Sequence, residues 1–352
     1  MIGVMKRKGK PVDSGRGFDG GVDRTASRRA AIAWQRVTVE APTSWSLVAA
    51  SGDERSGSLR VERTGVDDRA PLFGMEVRWS QLKQSQTAEM LDRRVQPLLD
   101  AANKTARRLK VELDSGAFGV DEKRHPEREV VREFYWTADT AAVGRIWRCS
   151  ECGRLMIAQV YCRVGSRYKD RAKEILAALQ CHNAEIGWTR WALYGLDVCV
   201  PADYTLSAQR LMTTYVELKF THGRGGKVGE TLTVEQWSAA NVQLKGAYLD
   251  DWLEHKGKSL LQSVSVEKTE AVMHGHPALN MTGRRTGLLY WMGDATRSLA
   301  ALQMPATHYS GVGWECAESN KVYLVQTIES KHDGNTACDV AERIVCHSEP
   351  SG

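Results

Sequence analysis

Trp147-Arg148-Cys149-Ser150-Glu151-Cys152 and Trp314-Glu315-Cys316-Ala317-Glu318-Ser319 are one phrase written twice in the same chain. A glutamine follows each tryptophan by 12 residues, at Gln159 and Gln326. Each copy then closes on a Cys-His pair, Cys181-His182 and Cys346-His347. Working upstream, Pro42-Thr43-Ser44-Trp45-Ser46-Leu47 matches Pro201-Ala202-Asp203-Tyr204-Thr205-Leu206 at an offset of 159. Ser58-Leu59-Arg60-Val61 lines up with Glu217-Leu218-Lys219-Phe220 at the same offset, and Trp79 with Trp237 at 158. His125-Pro126 and His276-Pro277 extend the series. Self-similarity in constant order at a slowly drifting period is internal duplication.

The duplication divides the chain into a tail (1–33), repeat one (34–184) and repeat two (196–348), with a short join between the repeats. Each repeat has an ordinary domain size. Within repeat one, Arg36–Glu40, Trp45–Ala49, Leu59–Glu62 and Met75–Trp79 read as short strands. Ala88, Leu91, Val95, Leu98, Leu99 and Ala102 then recur at helical spacing. The expected counterpart in repeat two runs through Leu244, Tyr248, Trp252, Leu253, Leu260 and Leu261. Three more strands follow, Val130–Trp136, Arg145–Cys149 and Arg154–Val160, and a closing helix carries Ala172, Ile175, Leu176 and Leu179. Strands interrupted by helices without strict alternation predict an α+β class: two tandem pseudo-repeats, each an antiparallel sheet covered by helices.

The pieces Pro42 to Trp45, Gly57 to Leu59, Val77 to Trp79, Ala88 to Ala102, His125-Pro126 and Lys173 to Leu179 together resemble the Mog1/PsbP-like fold. The resemblance is one of element pattern and covers most of both repeats. It implies a helix-covered sheet and a binding role rather than catalysis.

Eight cysteines all lie beyond residue 148. No secretory signal is read at the N-terminus, so the expected setting is cytoplasmic and reducing, with thiols or metal ligands rather than disulfides. Cys149-x-x-Cys152 is the sharpest motif. With Cys162 and Cys181, and His182 beside them, it offers the donors of a closed structural zinc site. Ser319 and Glu329 stand where Cys152 and Cys162 would recur, so repeat two is not expected to repeat the site. The preferred alternative makes Cys149, Cys181, Cys316 and Cys346 small buried core residues, with no cofactor. His274-x-His276 reads as a turn, and Glu151 and Glu318 as surface carboxylates that cap or pair. Gly223-Arg224-Gly225-Gly226-Lys227 lacks a following helix and reads as a hairpin turn rather than a phosphate loop.

Eleven tryptophans are present. Trp45, Trp79 and Trp147 have aromatic counterparts at Tyr204, Trp237 and Trp314, which argues for core positions. Trp188 and Trp191 lie at the join without counterparts, and are candidates either for packing the repeats together or for anchoring a partner. Residues 1–30 hold eight Lys/Arg and three Asp, and six Gly, without periodicity. They read as a disordered tail. The rest of the chain is charge-balanced, at 40 basic and 40 acidic residues, which argues against a body built to bind nucleic acid. Nucleic-acid contact is expected only through the tail, and no run reaches the length of a membrane span. The reading that results is a non-catalytic protein-binding or accessory subunit. The alternative is a zinc-dependent factor or enzyme centred on Cys149 and Cys152.

Overall fold

The computed structural model describes residues 29–64, 72–82, 87–121, 123–165, 168–222, 230–254, 264–285, 308–330 and 335–347. It consists of three antiparallel sheets. Four strands form the central one: β1 (Arg29–Trp34), β2 (Val37–Pro42), β10 (Trp188–Leu193) and β11 (Leu196–Pro201). Their order is β11-β10-β1-β2. The hairpins β1-β2 and β10-β11 come from different repeats and are paired in register at Ala33 and Ala192. Pro42 and Pro201 end the outer strands, where a residue with no N–H costs no ladder bond.

From each proline the chain enters a seven-stranded sheet. Lobe one contains β3 (Trp45–Gly52), β4 (Ser56–Arg63), β5 (Leu72–Gln81), β6 (Asp114–Gly119), β7 (Arg128–Thr137), β8 (Thr140–Cys149) and β9 (Arg154–Arg163). Lobe two contains β12 (Tyr204–Met212), β13 (Tyr215–His222), β14 (Thr231–Ser238), β15 (Val264–Met273), β16 (His276–Arg285), β17 (His308–Cys316) and β18 (Lys321–Glu329). The orders are β3-β4-β5-β9-β8-β7-β6 and β12-β13-β14-β18-β17-β16-β15, the same topology strand for strand. Even the irregularities recur. The β3-β4 ladder is bulged between Leu47 and Ala49, and the β12-β13 ladder between Leu206 and Ala208. Trp147 lies opposite Met156, and Trp314 opposite Tyr323.

Among the described residues the helices are α1 (Ala88–Leu109), α2 (Tyr168–Ala178), α3 (Ala240–Leu244) and α4 (Thr336–Ala341), with a further helical stretch at 249–254. The α+β expectation of sheets covered by helices is therefore corrected to a mostly β architecture. Two physical reasons account for it. The apolar stripe expected to form one long helix in lobe two is broken at Lys245 and Gly246, whose φ values of 52° and 79° end α3 after five residues. Tyr248 then points to solvent, and Leu260 and Leu261 lie outside the described residues. In addition, β1, β6, β10 and β15, which carry no strong strand pattern, are held in place by pairing with neighbours. The first strand starts at Arg29, inside the stretch read as tail. The opening hairpin of lobe two starts at Trp188, upstream of residue 196.

One buried apolar cluster runs from Trp45 and Trp147 in lobe one, through Trp34, Val39, Trp191 and Val198 of the central sheet, to Phe220 and Trp314 in lobe two. Trp34 and Trp191 meet edge-to-face at 5.1 Å between centroids, and Trp191 meets Phe220 at 5.2 Å. Smaller clusters lie under α1 (Leu91, Val95, Phe134) and around Trp237 and Trp252. No helix among the described residues is long and apolar enough to cross a membrane.

Candidate metal centres

In lobe one the β8-β9 turn and the segment after α2 converge. β8 ends on Cys149, and the turn reverses through Gly153 at φ 67°, with Gly153 N–H donating to the Cys149 carbonyl at 3.0 Å. A left-handed residue is needed there, which glycine supplies without strain. Lobe two places Asn320 at the equivalent point with φ 53°. After α2 the chain makes a bridge from Gln180 to Thr38, and after α4 one from Ile344 to Val198. Each bridge pins the following Cys-His pair against the central sheet. Cys181 and Cys346 thus sit just beyond the closing helices rather than on them.

Four donors gather in lobe one: Cys149, Cys152, Cys181 and His182, with ligating atoms all within 4.8 Å of one another. Cys149 Sγ and Cys181 Sγ each lie 3.6 Å from His182 Nδ1, and Cys152 Sγ lies 3.9 Å from Cys181 Sγ. Cys149 and Cys181 are buried. Hydrogen bonds from the neighbouring Cys152 and Cys181 thiols hold the Cys149 thiol far below the ordinary range, and push Cys181 up in turn. The far ring nitrogen of His182, Nε2, lies 3.0 Å from the Glu151 carboxylate. That contact fixes the tautomer and leaves Nδ1 facing the sulfurs, the usual support for a ligating histidine. Glu151 is therefore paired, as expected, but to a cluster member.

Cys162 is not part of this group. It lies near the far end of β9, opposite Ala141 and Leu72. Eight residues of strand put it roughly 26 Å from the turn. Burial pushes its thiol up to about 12, as befits an inert core cysteine.

Lobe two was expected to lack a counterpart, and the structure corrects this. His276, Cys316, Cys346 and His347 bring their ligating atoms within 4.8 Å of one another. Cys316 Sγ and Cys346 Sγ lie 3.5 and 3.1 Å from His347 Nδ1. His276 Nε2 lies 3.8 Å from Cys346 Sγ and 3.4 Å from His347 Nδ1. Burial pushes the Cys346 thiol up to about 11. The sequence signals for His276 were the His274-x-His276 pair and the repeated His-Pro. His274 and Gly275, at φ 51° and 79°, do form a turn, and His274 Nε2 contacts the Ala341 carbonyl at the end of α4. His276 begins the next strand and points into the cluster.

A basic side chain supports each cluster from equivalent positions. Arg154, at the start of β9, donates to the Gln35 carbonyl at 2.9 Å and to the Cys181 carbonyl at 3.3 Å. Lys321, at the start of β18, donates to the Gly195 carbonyl. Gln35 and Gly195 lie in the two turns of the central sheet, so each cluster is tied to it.

A second duplicated constellation was not anticipated. Glu235 on β14 accepts hydrogen bonds from Tyr215 Oη and from Gln326 Nε2, the latter at 2.7 Å, and Tyr309 Oη donates to Gln326 Oε1 at 3.1 Å. Burial raises Glu235 to about 7. In lobe one Glu76 accepts from Tyr161 Oη at 3.1 Å and from Gln159 Nε2 at 3.4 Å. Gln159 and Gln326 are the repeated glutamines of the sequence. Their role is to satisfy a carboxylate inside a sheet.

The two tryptophans at the join differ. Trp191 is 3 % exposed and packs between Trp34 and Phe220, so its position is in the core between the lobes. Trp188 is half-buried, and the Arg343 guanidinium stacks on its ring at 3.9 Å. Ile186 beside it is 99 % exposed. The basic tail up to residue 28 and the glycine-rich segment at 223–227 lie outside the described residues.

No protein-family model matches this chain, and no curated protein matches it. Among solved structures, this chain matches a chain of the Tle4-Tli4 complex, at 8 % identity and a TM-score of 0.28 over 92 % of this chain and 98 % of that one. Another is the immunity protein TplEi of T6SS from Pseudomonas aeruginosa complexed with "L" peptide, at 8 % identity and 0.31 over 91 % and 98 %. Likeness at this level carries no inference about the role of this chain.

Proposed function

We propose that this chain is a non-catalytic protein-binding or accessory protein that meets its partner through the join between its lobes. The observation that carries the reading is the cluster of Ile186, Trp188 and Arg343. An aliphatic side chain stands almost wholly in solvent beside a tryptophan braced by arginine. Trp and Arg are the residue types enriched at the energetic centres of protein interfaces. Glu185 holds Arg343 through contacts of 2.9 and 3.0 Å, so the group is ordered before any partner arrives. The chemistry-bearing groups elsewhere support the same view. The cysteine-histidine clusters and the Glu235 network are closed on protein donors and largely buried, which suits a scaffold better than a turnover site.

A photo-crosslinking residue placed at position 186 tests this in extract of the native organism. A discrete protein adduct is expected, abolished by excess unmodified chain and by Trp188→Ala. Absence of any competed protein adduct, with the chain folded, overturns the reading. An adduct to nucleic acid would favour the alternative in which the basic tail makes the functional contact.

A further inference from the structure

We propose that each lobe binds one structural Zn2+, through Cys149, Cys152, Cys181 and His182 in lobe one and through His276, Cys316, Cys346 and His347 in lobe two. The fourth donor has changed strand between the two.

The geometry points to a metal rather than to hydrogen-bonded thiols. Zinc–sulfur and zinc–nitrogen bonds of about 2.3 and 2.0–2.1 Å give a tetrahedron with edges of about 3.8 Å between sulfurs, 3.5 Å between sulfur and nitrogen, and 3.4 Å between nitrogens. The Cys152–Cys181 edge is 3.9 Å, and the His276–His347 edge is 3.4 Å. Sulfur–nitrogen edges are 3.6 and 3.6 Å in lobe one and 3.5, 3.8 and 3.1 Å in lobe two. No edge in either cluster exceeds 4.8 Å. Mixed thiolate and imidazole donors in this arrangement select zinc among common ions. Four protein donors, their sulfurs buried except for the half-buried Cys152, leave no position for a substrate, so the sites are structural. Binding releases the remaining thiol protons to solvent, and the metal ties a β-turn, a closing segment and the central sheet together.

The exchange of the fourth donor follows from strand pairing. Cys149 faces Arg128 on β7. Arg128 cannot ligate. It stacks on Trp147 at 4.7 Å and donates to the carbonyls at the end of α2. Lobe one therefore takes its fourth donor from the turn, at Cys152. In lobe two Ala278 faces Trp314, and the same register carried two residues on sets His276 opposite Cys316. There the neighbouring strand supplies the donor, and the turn carries Ser319. The donor sets differ by one unit of charge. Three thiolates leave lobe one at −1 with zinc bound, beside the buried guanidinium of Arg154, whereas two leave lobe two neutral.

The test uses the full chain purified under reducing conditions without chelator. Metal analysis by mass spectrometry should return two zinc per chain. Zinc X-ray absorption should fit five sulfurs and three nitrogens in total over the two sites, an average of 2.5 sulfurs and 1.5 nitrogens per zinc. His276→Ala and Cys152→Ser should each lower the content to one, and Cys162→Ser should leave it at two. If a variant does not fold, the X-ray absorption of the unaltered chain still decides. A chain that holds no zinc and takes up none on titration overturns the proposal. So do a Cys152–Cys181 disulfide in the reduced preparation, a content of one in the unaltered chain, and a His276→Ala variant that keeps both ions.

Discussion

Ala33 faces Ala192 at the centre of the molecule, and the two are related by the same 159 residues that relate Pro42 to Pro201. Equivalent residues can meet across an antiparallel pair only if a local twofold axis passes between them. The duplicated hairpins therefore meet as a pseudo-dimer, with the lobes on either side. Both alanines are buried, at 0 % and 2 % exposure, and one step along each strand, on the opposite face of the sheet, Trp34 and Trp191 pair across the axis.

Ala33→Leu and Ala192→Leu should each destabilise the protein by about 1–3 kcal/mol through overpacking. Because one core runs through both lobes, unfolding should remain a single transition. Denaturant unfolding followed by tryptophan fluorescence checks this. Two separate transitions in the unaltered chain would show that the lobes are not coupled.

Trp191→Ala should cost about 3–5 kcal/mol, the usual range for a large buried aromatic. Trp188→Ala should cost less, since its ring is only half-buried, resting on the edge of the core beneath Arg343. Equal losses in a thermal melt would place Trp188 in the core instead.

Glu235 gives the stability a pH dependence. Burial raises its carboxyl to about 7, above the ordinary carboxylate value of 4.5, so the native state favours the neutral acid. Stability is then greatest below about 4.5 and declines as pH rises toward 7, where the buried group ionises. Glu235→Gln should be nearly neutral at pH 4.5 and stabilising at pH 8. The comparison of denaturation midpoints at the two pH values decides, and an unchanged difference would mean that the carboxylate is fully compensated.

Removal of metal by a strong chelator should lower the thermal midpoint by many degrees, because structural zinc contributes on the order of 10 kcal/mol in small sites. Thiol labelling should change with it. Cys149, Cys181, Cys316 and Cys346 should be protected before chelation and reactive after, while Cys162 stays protected in both states. Chelation without effect on melting or labelling would contradict a metal-held closing segment.

The sequence by itself determined the duplication, because the tryptophan, cysteine and glutamine of each copy sit on a strand-turn-strand whose spacing is local. It also placed the strands from Trp45 to Trp79 and from Val130 to Val160, α1, and the closing helix of lobe one, all of which repeat at period 2 or at helical spacing. It brought Cys149, Cys152 and Cys181 forward as partners. Tertiary structure alone decided the rest. Strands β6 and β15 exist because a neighbour completes their ladders, and the two opening hairpins join into one sheet across Ala33 and Ala192. Cys162 drops out of the site because a strand carries it away from the turn. His276 enters because β16 lays it beside Cys316, 40 residues further along the chain. A contact between distant strands depends on register, and register is set by the packing of the whole sheet rather than by any spacing that can be read along the chain.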